Sequence, residues 1–155
     1  MRKFFGNRTS IVSILASLFI FLFAYTALSK LLSIESFKIQ LSKSEILRTG
    51  ANFLSWAVPV SELGICILLF FHSSREFGFL LATVLMGLFT IYIAYMLLFV
   101  THLPCSCGGV IQQMSWPQHL VFNITFSILG FLGWRMSKKI TQDFIAINRQ
   151  SRTPV

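Results

Sequence analysis

Charge is scarce in this chain of 155 residues. Asp, Glu, Lys and Arg make up 12% of it, against roughly a quarter in soluble domains, and only 5 residues are acidic. Such a composition excludes an ordinary soluble domain. Cysteine is also scarce, at 3 residues (Cys66, Cys105 and Cys107). Without a second cysteine pair there is no zinc tetrahedron, and no Cys-x-x-Cys-His run exists for c-type haem attachment. No internal repeat is visible and few polar groups interrupt the apolar stretches, which disfavours a transporter. The formal net charge of +8 would suit nucleic acid, but there is no basic face or stacking platform to bind it. The basic residues instead flank apolar segments, where they set orientation and meet anionic lipid headgroups.

What the chain has in quantity is apolar surface: 55% hydrophobic residues, 17 of them Phe, and a mean hydropathy of +0.74. Lipid offers no partners for stray backbone groups, so helices follow. Four runs reach the ~20 residues needed to cross the hydrocarbon core: 11–32, 51–71, 77–101 and 117–136. The expected fold is all-α, a polytopic bundle of four transmembrane helices. Between the first two spans, Ile34, Phe37 and Leu41 recur at helical spacing among charged residues, predicting a short interfacial helix on the outer surface. The first span follows Arg2, Lys3 and Arg8 as a signal peptide would. Its apolar run outlasts an h-region of about 7–15 residues and Ala24-Tyr25-Thr26 is a poor cleavage site, so a retained helix is expected. Residues 1–140 read as one membrane domain and 141–155 as a basic, loosely ordered cytoplasmic tail.

Smaller signals agree. Trp56 and Trp116 fall near outer ends and Trp134 near an inner end, as in aromatic belts. Ser115 and Gln118 form a capping-box pattern at the start of the fourth span, with Pro117 in its first turn. Gly87, Gly130 and Gly133 are candidates for close helix contact, though no GxxxG pattern occurs. Arg2, Lys3, Arg8, Arg75, Arg135, Lys138, Lys139, Arg149 and Arg152 fall on one side, and Lys30, Lys38, Lys43 and Arg48 on the other. Positive-inside bias then places both termini in the cytoplasm and the loop before the fourth span outside.

That loop carries Cys105-Ser106-Cys107-Gly108-Gly109. A Cys-x-Cys disulfide closes a very small ring, which strains the sulfur torsion and makes the bond reducible. Gly108 and Gly109 add backbone freedom for a partner to approach. An outward dithiol suits thiol–disulfide exchange, with one cysteine attacking and the other resolving. His102 is the nearest candidate base, and His119 stands at the top of the fourth span, although a histidine at such a position is more often a plain surface residue. Two duller readings of the pair stay open. One is a structural disulfide or an inert pair; the other is Cu(I) held by Cys105, Cys107, Met114 and a histidine. No metal site is assigned. Cys66, inside the second span, reads as a small apolar residue.

Two charges fall inside spans, Lys30 in the first and Glu62 in the second. A carboxylate in lipid is expensive and faces the bundle interior, so Glu62 is expected to pair with Lys30, or to be held by Ser61, Asn123 or His119. His119 and Asn123 are one helical turn apart and share a face. Whether the pair handles protons or only fixes helix registry stays open.

Taken together, these motifs resemble a family. Tyr25…Ser29-Lys30 with Phe37, Pro59…Glu62-Leu63-Gly64, and Cys105-x-Cys107-Gly108-Gly109 look like the methylamine-utilisation protein MauE family. The run Ser115-Trp116…Gln118-His119-Leu120…Phe122-Asn123 is similar to its Bacteroidetes-type form. Family motifs often carry an aromatic after the second cysteine, where this chain has Gly108. The resemblance implies a four-helix, DoxX-like, redox-associated protein of the bacterial inner membrane. Members in methylamine clusters are thought to help mature a periplasmic, disulfide-rich dehydrogenase β-subunit beside a thioredoxin-like partner. The implied role is a thiol–disulfide oxidoreductase acting on exported clients. The alternative is a non-catalytic assembly factor, or an anchor for the thioredoxin-like protein, with a structural dithiol. No cofactor is fixed by the sequence; electrons could pass to a quinone under the loop or to a separate protein.

Overall fold

The first apolar run is apolar on every side, and only one stripe of it turns inward. The computed structural model describes residues 2–44, 46–99 and 115–150. Its first helix, α1 (Arg2–Leu32), buries Val12, Ala16, Phe19 and Phe23, each three or four residues from the next. Ile14, Phe21 and Leu28 stay exposed on the other faces, as a lipid-facing surface requires. The helix stops at Ser33, and α2 (Ile34–Lys43) follows at once. This is the predicted interfacial helix. Its Phe37 and Leu41 pack on Ala51, with Leu47, Leu54 and Val58 around them, so α2 lies over the start of the next span. Glu35 in its first turn and Lys43 in its last complement the helix dipole.

A single 3-10 turn (Arg48–Gly50) leads into α3 (Ala51–Phe70), then come α4 (Arg75–Phe99) and α5 (Trp116–Gln150). Four helices are long and apolar enough to cross a membrane, over Arg8–Leu32, Arg48–Phe70, Arg75–Phe99 and Trp116–Ala146. The described residues form an all-α polytopic membrane protein. Its most extensive packing is α4 on α5 and α1 on α3.

The sharp α3–α4 turn would strand carbonyls at the end of α3. Ser74 Oγ donates to Leu68 O at 2.9 Å and Arg75 Nε to Leu69 O at 3.1 Å. Arg75 Nη1 also reaches Ser13 Oγ at 3.2 Å, tying the turn to the start of α1. At the opposite end, the Gln118 side chain accepts from Ser115 N–H at 2.9 Å, as the capping-box pattern predicts.

Two of the three candidate glycines make close contacts. A Cβ on Gly130 would lie 2.7 Å from Thr83 Oγ1, and one on Gly133 2.6 Å from the Phe79 ring, so α5 approaches α4 only because these positions are bare. Gly87 is different: nothing lies within 4 Å of where its Cβ would be. The expectation of a loosely ordered chain after Lys139 is also corrected, since α5 continues to Gln150. Neither Gly nor Pro interrupts that stretch, and Ile140, Phe144 and Ile145 extend its apolar pattern.

Candidate functional site

The two ends of the bundle are built differently, and the polar residues gather at one of them. Toward the end that holds the α3–α4 turn, named the inner end for its proposed orientation, Phe19 meets Phe79 and Phe126 edge-on, with ring centroids 6.0 and 5.4 Å apart, and Leu69 and Ala82 belong to the same buried cluster. Toward the opposite end, named the outer end in the same sense, the helices enclose a cavity of about 520 Å³ instead. Most of its wall is apolar, including Leu22, Phe23, Val58, Met86, Phe89 and Ile93. The underside of α2 closes it above. Ser61 and Leu88 line it and are also exposed on the bundle's surface, so the cavity is not fully enclosed.

The polar groups on this wall belong to Lys30, Glu62, Gln40, His119, Asn123, Thr26, Ser61, Tyr92 and Trp116. Lys30 Nζ donates to Glu62 Oε1 at 2.7 Å and to the Thr26 carbonyl at 3.4 Å. Its ammonium also sits 5.9 Å from the centre of the Phe37 ring on α2. This is the ion pair expected from the sequence. Ser61 is not part of it, since its hydroxyl turns back to Val58 O at 2.7 Å. Glu62 is 1% exposed, and its second oxygen, Oε2, is buried with no hydrogen-bond partner. The Thr26 hydroxyl donates to Phe23 O at 3.2 Å and lies close to the Glu62 carboxylate. Gln40 Oε1 is likewise buried and unpartnered. An orphaned acceptor costs about 1–3 kcal/mol, so two on one cavity wall need an explanation.

His119 and Asn123 share the face of α5 that lines the cavity, as their spacing implies. Asn123 Nδ2 donates to the His119 carbonyl at 2.9 Å, holding its amide against its own helix. Trp116, one turn above, also lines the cavity. Lys30, Glu62, His119 and Asn123, far apart in sequence, therefore meet at one place. Cys105, Cys107, His102, Gly108 and Gly109 lie outside the described residues, as does Met114. Cys66 is buried on the far side of Glu62, its thiol directed at Ile20 O at 3.6 Å. Among the described residues no group of three metal-ligating side chains occurs.

Gln40 and Thr26 were not singled out from the sequence. A signal for each exists: Gln40 shares the inward face of α2 with Phe37 and Leu41, and Thr26 precedes Lys30 by one turn.

The family model described as methylamine utilisation protein MauE matches residues 8–136. No curated protein and no solved structure matches. The match spans α1 to the middle of α5, including every polar residue of the cavity wall, and the chain belongs to the MauE family.

Proposed function

We propose, from this membership, that the chain is an inner-membrane thiol–disulfide redox protein serving exported clients. Cys105 or Cys107 exchanges with a client or with a periplasmic thioredoxin-like partner, and the other cysteine resolves the mixed disulfide. The observation that carries the reading is the Cys-x-Cys pair itself, a spacing suited to a strained, reducible bond. Its loop joins α4 to α5 at the end of the bundle where the polar cavity lies. The excess of basic residues at the opposite end supports a periplasmic loop and cytoplasmic termini. His102 and His119 are the candidates for proton transfer, while Lys30, Glu62 and Asn123 brace the helices beneath. In family members of methylamine clusters the corresponding client is the dehydrogenase β-subunit; for this chain that client is part of the proposal.

The test is thiol trapping in intact cells with a membrane-impermeant maleimide, before and after mild reduction, alongside a Cys105→Ser/Cys107→Ser protein. Labelling only after reduction, and client disulfides lost in the double variant at normal protein level, are the expected results. Client disulfides that persist at normal level would remove the redox role and leave an anchoring or assembly role. Labelling only after permeabilisation would invert the orientation.

A further inference from the structure

We propose that one face of α5 is a binding site for an anionic phospholipid, whose phosphate is held by Arg135 and Lys138. The inference is independent of the redox reading above. Val121, Ile124, Ile128 and Phe131 are exposed and follow one another at steps of three or four residues, and Arg135 and Lys138 continue the same stripe. From Val121 to Phe131 the stripe rises about 15 Å, half of the ~30 Å hydrocarbon core and so the depth of one leaflet. An acyl chain lying along it brings its headgroup to the two cations.

The cations are held in a way that calls for a phosphate. The Arg135 guanidinium lies 5.7 Å from the centre of the Phe131 ring, and the Lys138 ammonium 5.3 Å from that of Trp134. The two rings also meet, with centroids 5.7 Å apart. Each cation therefore rests over a ring one turn nearer the middle of the span, instead of snorkelling away from it. A cation drawn back toward hydrocarbon needs an anion, and among the described residues the one salt bridge is Lys30–Glu62, at the other end of the bundle. The helix dipole does not supply the charge either, since α5 runs on to Gln150 and its free carbonyls lie several turns further. Trp116 and Trp134 are about 27 Å apart along the helix, close to the thickness of the core, so the phosphate layer falls at Arg135 and Lys138. Two cations around one phosphate disfavour a headgroup with its own ammonium, which makes the lipid anionic. Other basic residues at this end are placed differently. Lys139 is offset from the stripe and has Asp143 one turn on, and Arg149 stands about 16 Å beyond Lys138. Lys138 lies past the family match, which ends at residue 136, so membership alone does not imply the site.

The experiment uses the full chain in phosphatidylcholine nanodiscs, with Trp56 and Trp116 changed to Phe so that Trp134 alone reports. Lipids brominated near the glycerol end of their acyl chains quench an indole they touch. They are added over a range of mole fractions, as phosphatidylglycerol or as phosphatidylcholine. Phosphatidylglycerol should quench at the lower mole fraction. Arg135→Gln and Lys138→Gln should each cut that preference by about fivefold, the contribution of one basic side chain at an anionic surface. Phe131→Leu keeps every charge but frees Arg135 from its ring, and should cut it by about twofold. Lys139→Gln/Arg149→Gln removes as much charge as Arg135→Gln/Lys138→Gln and should leave most of the preference intact. Equal losses in these two double variants would mean that net charge alone attracts the lipid, and would overturn the site. No preference for phosphatidylglycerol in the chain with Arg135 and Lys138 intact would overturn it as well. Relief of the quenching by millimolar inorganic phosphate would assign the cations to a free anion and not to a lipid.

Discussion

The inner and outer halves of this bundle use the same four helices for opposite ends. In the inner half, bare glycines let α5 close on α4, aromatic rings meet edge-on, and the α3–α4 turn has its carbonyls capped by Ser74 and Arg75. In the outer half the same helices surround a cavity, beside a buried ion pair and two buried unpartnered oxygens. Lipid gives helices no hydrophobic reason to associate, so close packing must hold the fold together. The contrast teaches that the inner half carries that packing, which leaves the outer half free to be imperfectly filled and polar. Close packing and open, polar space are thus separated along the bundle axis.

The sharpest way to break this contrast is to make one substitution in both halves. Phe19→Ala removes a fully buried ring that touches Phe23, Phe79 and Phe126, and should cost about 3–5 kcal/mol in reversible unfolding from bicelles. Phe89→Ala takes a ring from the cavity wall, where part of its surface already faces empty space, and should cost about 1–2 kcal/mol. Equal losses would mean that the outer half is as tightly built as the inner.

The ion pair gives the next largest effect. Lys30→Met leaves the Glu62 carboxylate buried without its cation, and about 3 kcal/mol should be lost. In Lys30→Met/Glu62→Met no charge is left stranded, so most of that stability should return. A double variant no more stable than the single one would show that the pair fixes helix registry, and the functional character of the outer half would weaken accordingly.

How much of this was legible in the sequence follows from what lipid demands. Spans are visible because hydrocarbon thickness sets their length. The Lys30–Glu62 pair is visible because a carboxylate inside a span has few affordable partners. The Ser115–Gln118 cap is visible because its spacing is fixed by a single helical turn. The cavity was not legible: emptiness belongs to five helices at once, and no residue announces it. Gln40 therefore had no assigned place, although its position on the face of Phe37 and Leu41 could have been read. Gly87 was misjudged because a glycine alone does not say which face of α4 meets a neighbour. The helical extension past Lys139 was readable from Phe144 and Ile145, but the polar residues around them suggested a loose tail. The dithiol remains a reading of its spacing, since it lies outside the described residues.

The glycines give a finer test of the same contrast. Gly133→Ala forces a methyl group into the Phe79 ring at the inner seam, and should cost about 1–3 kcal/mol by overpacking. Gly87→Ala meets nothing within 4 Å and exchanges the poorest non-proline helix former for the best, so it should be neutral or stabilise by up to about 1 kcal/mol. Opposite signs for one chemical change on two packed helices would locate the seam directly in unfolding data. If Gly87→Ala proved as damaging as Gly133→Ala, α4 would be closely packed along its whole length, and a cavity bordered by Met86 and Leu88 could not stand open beside it.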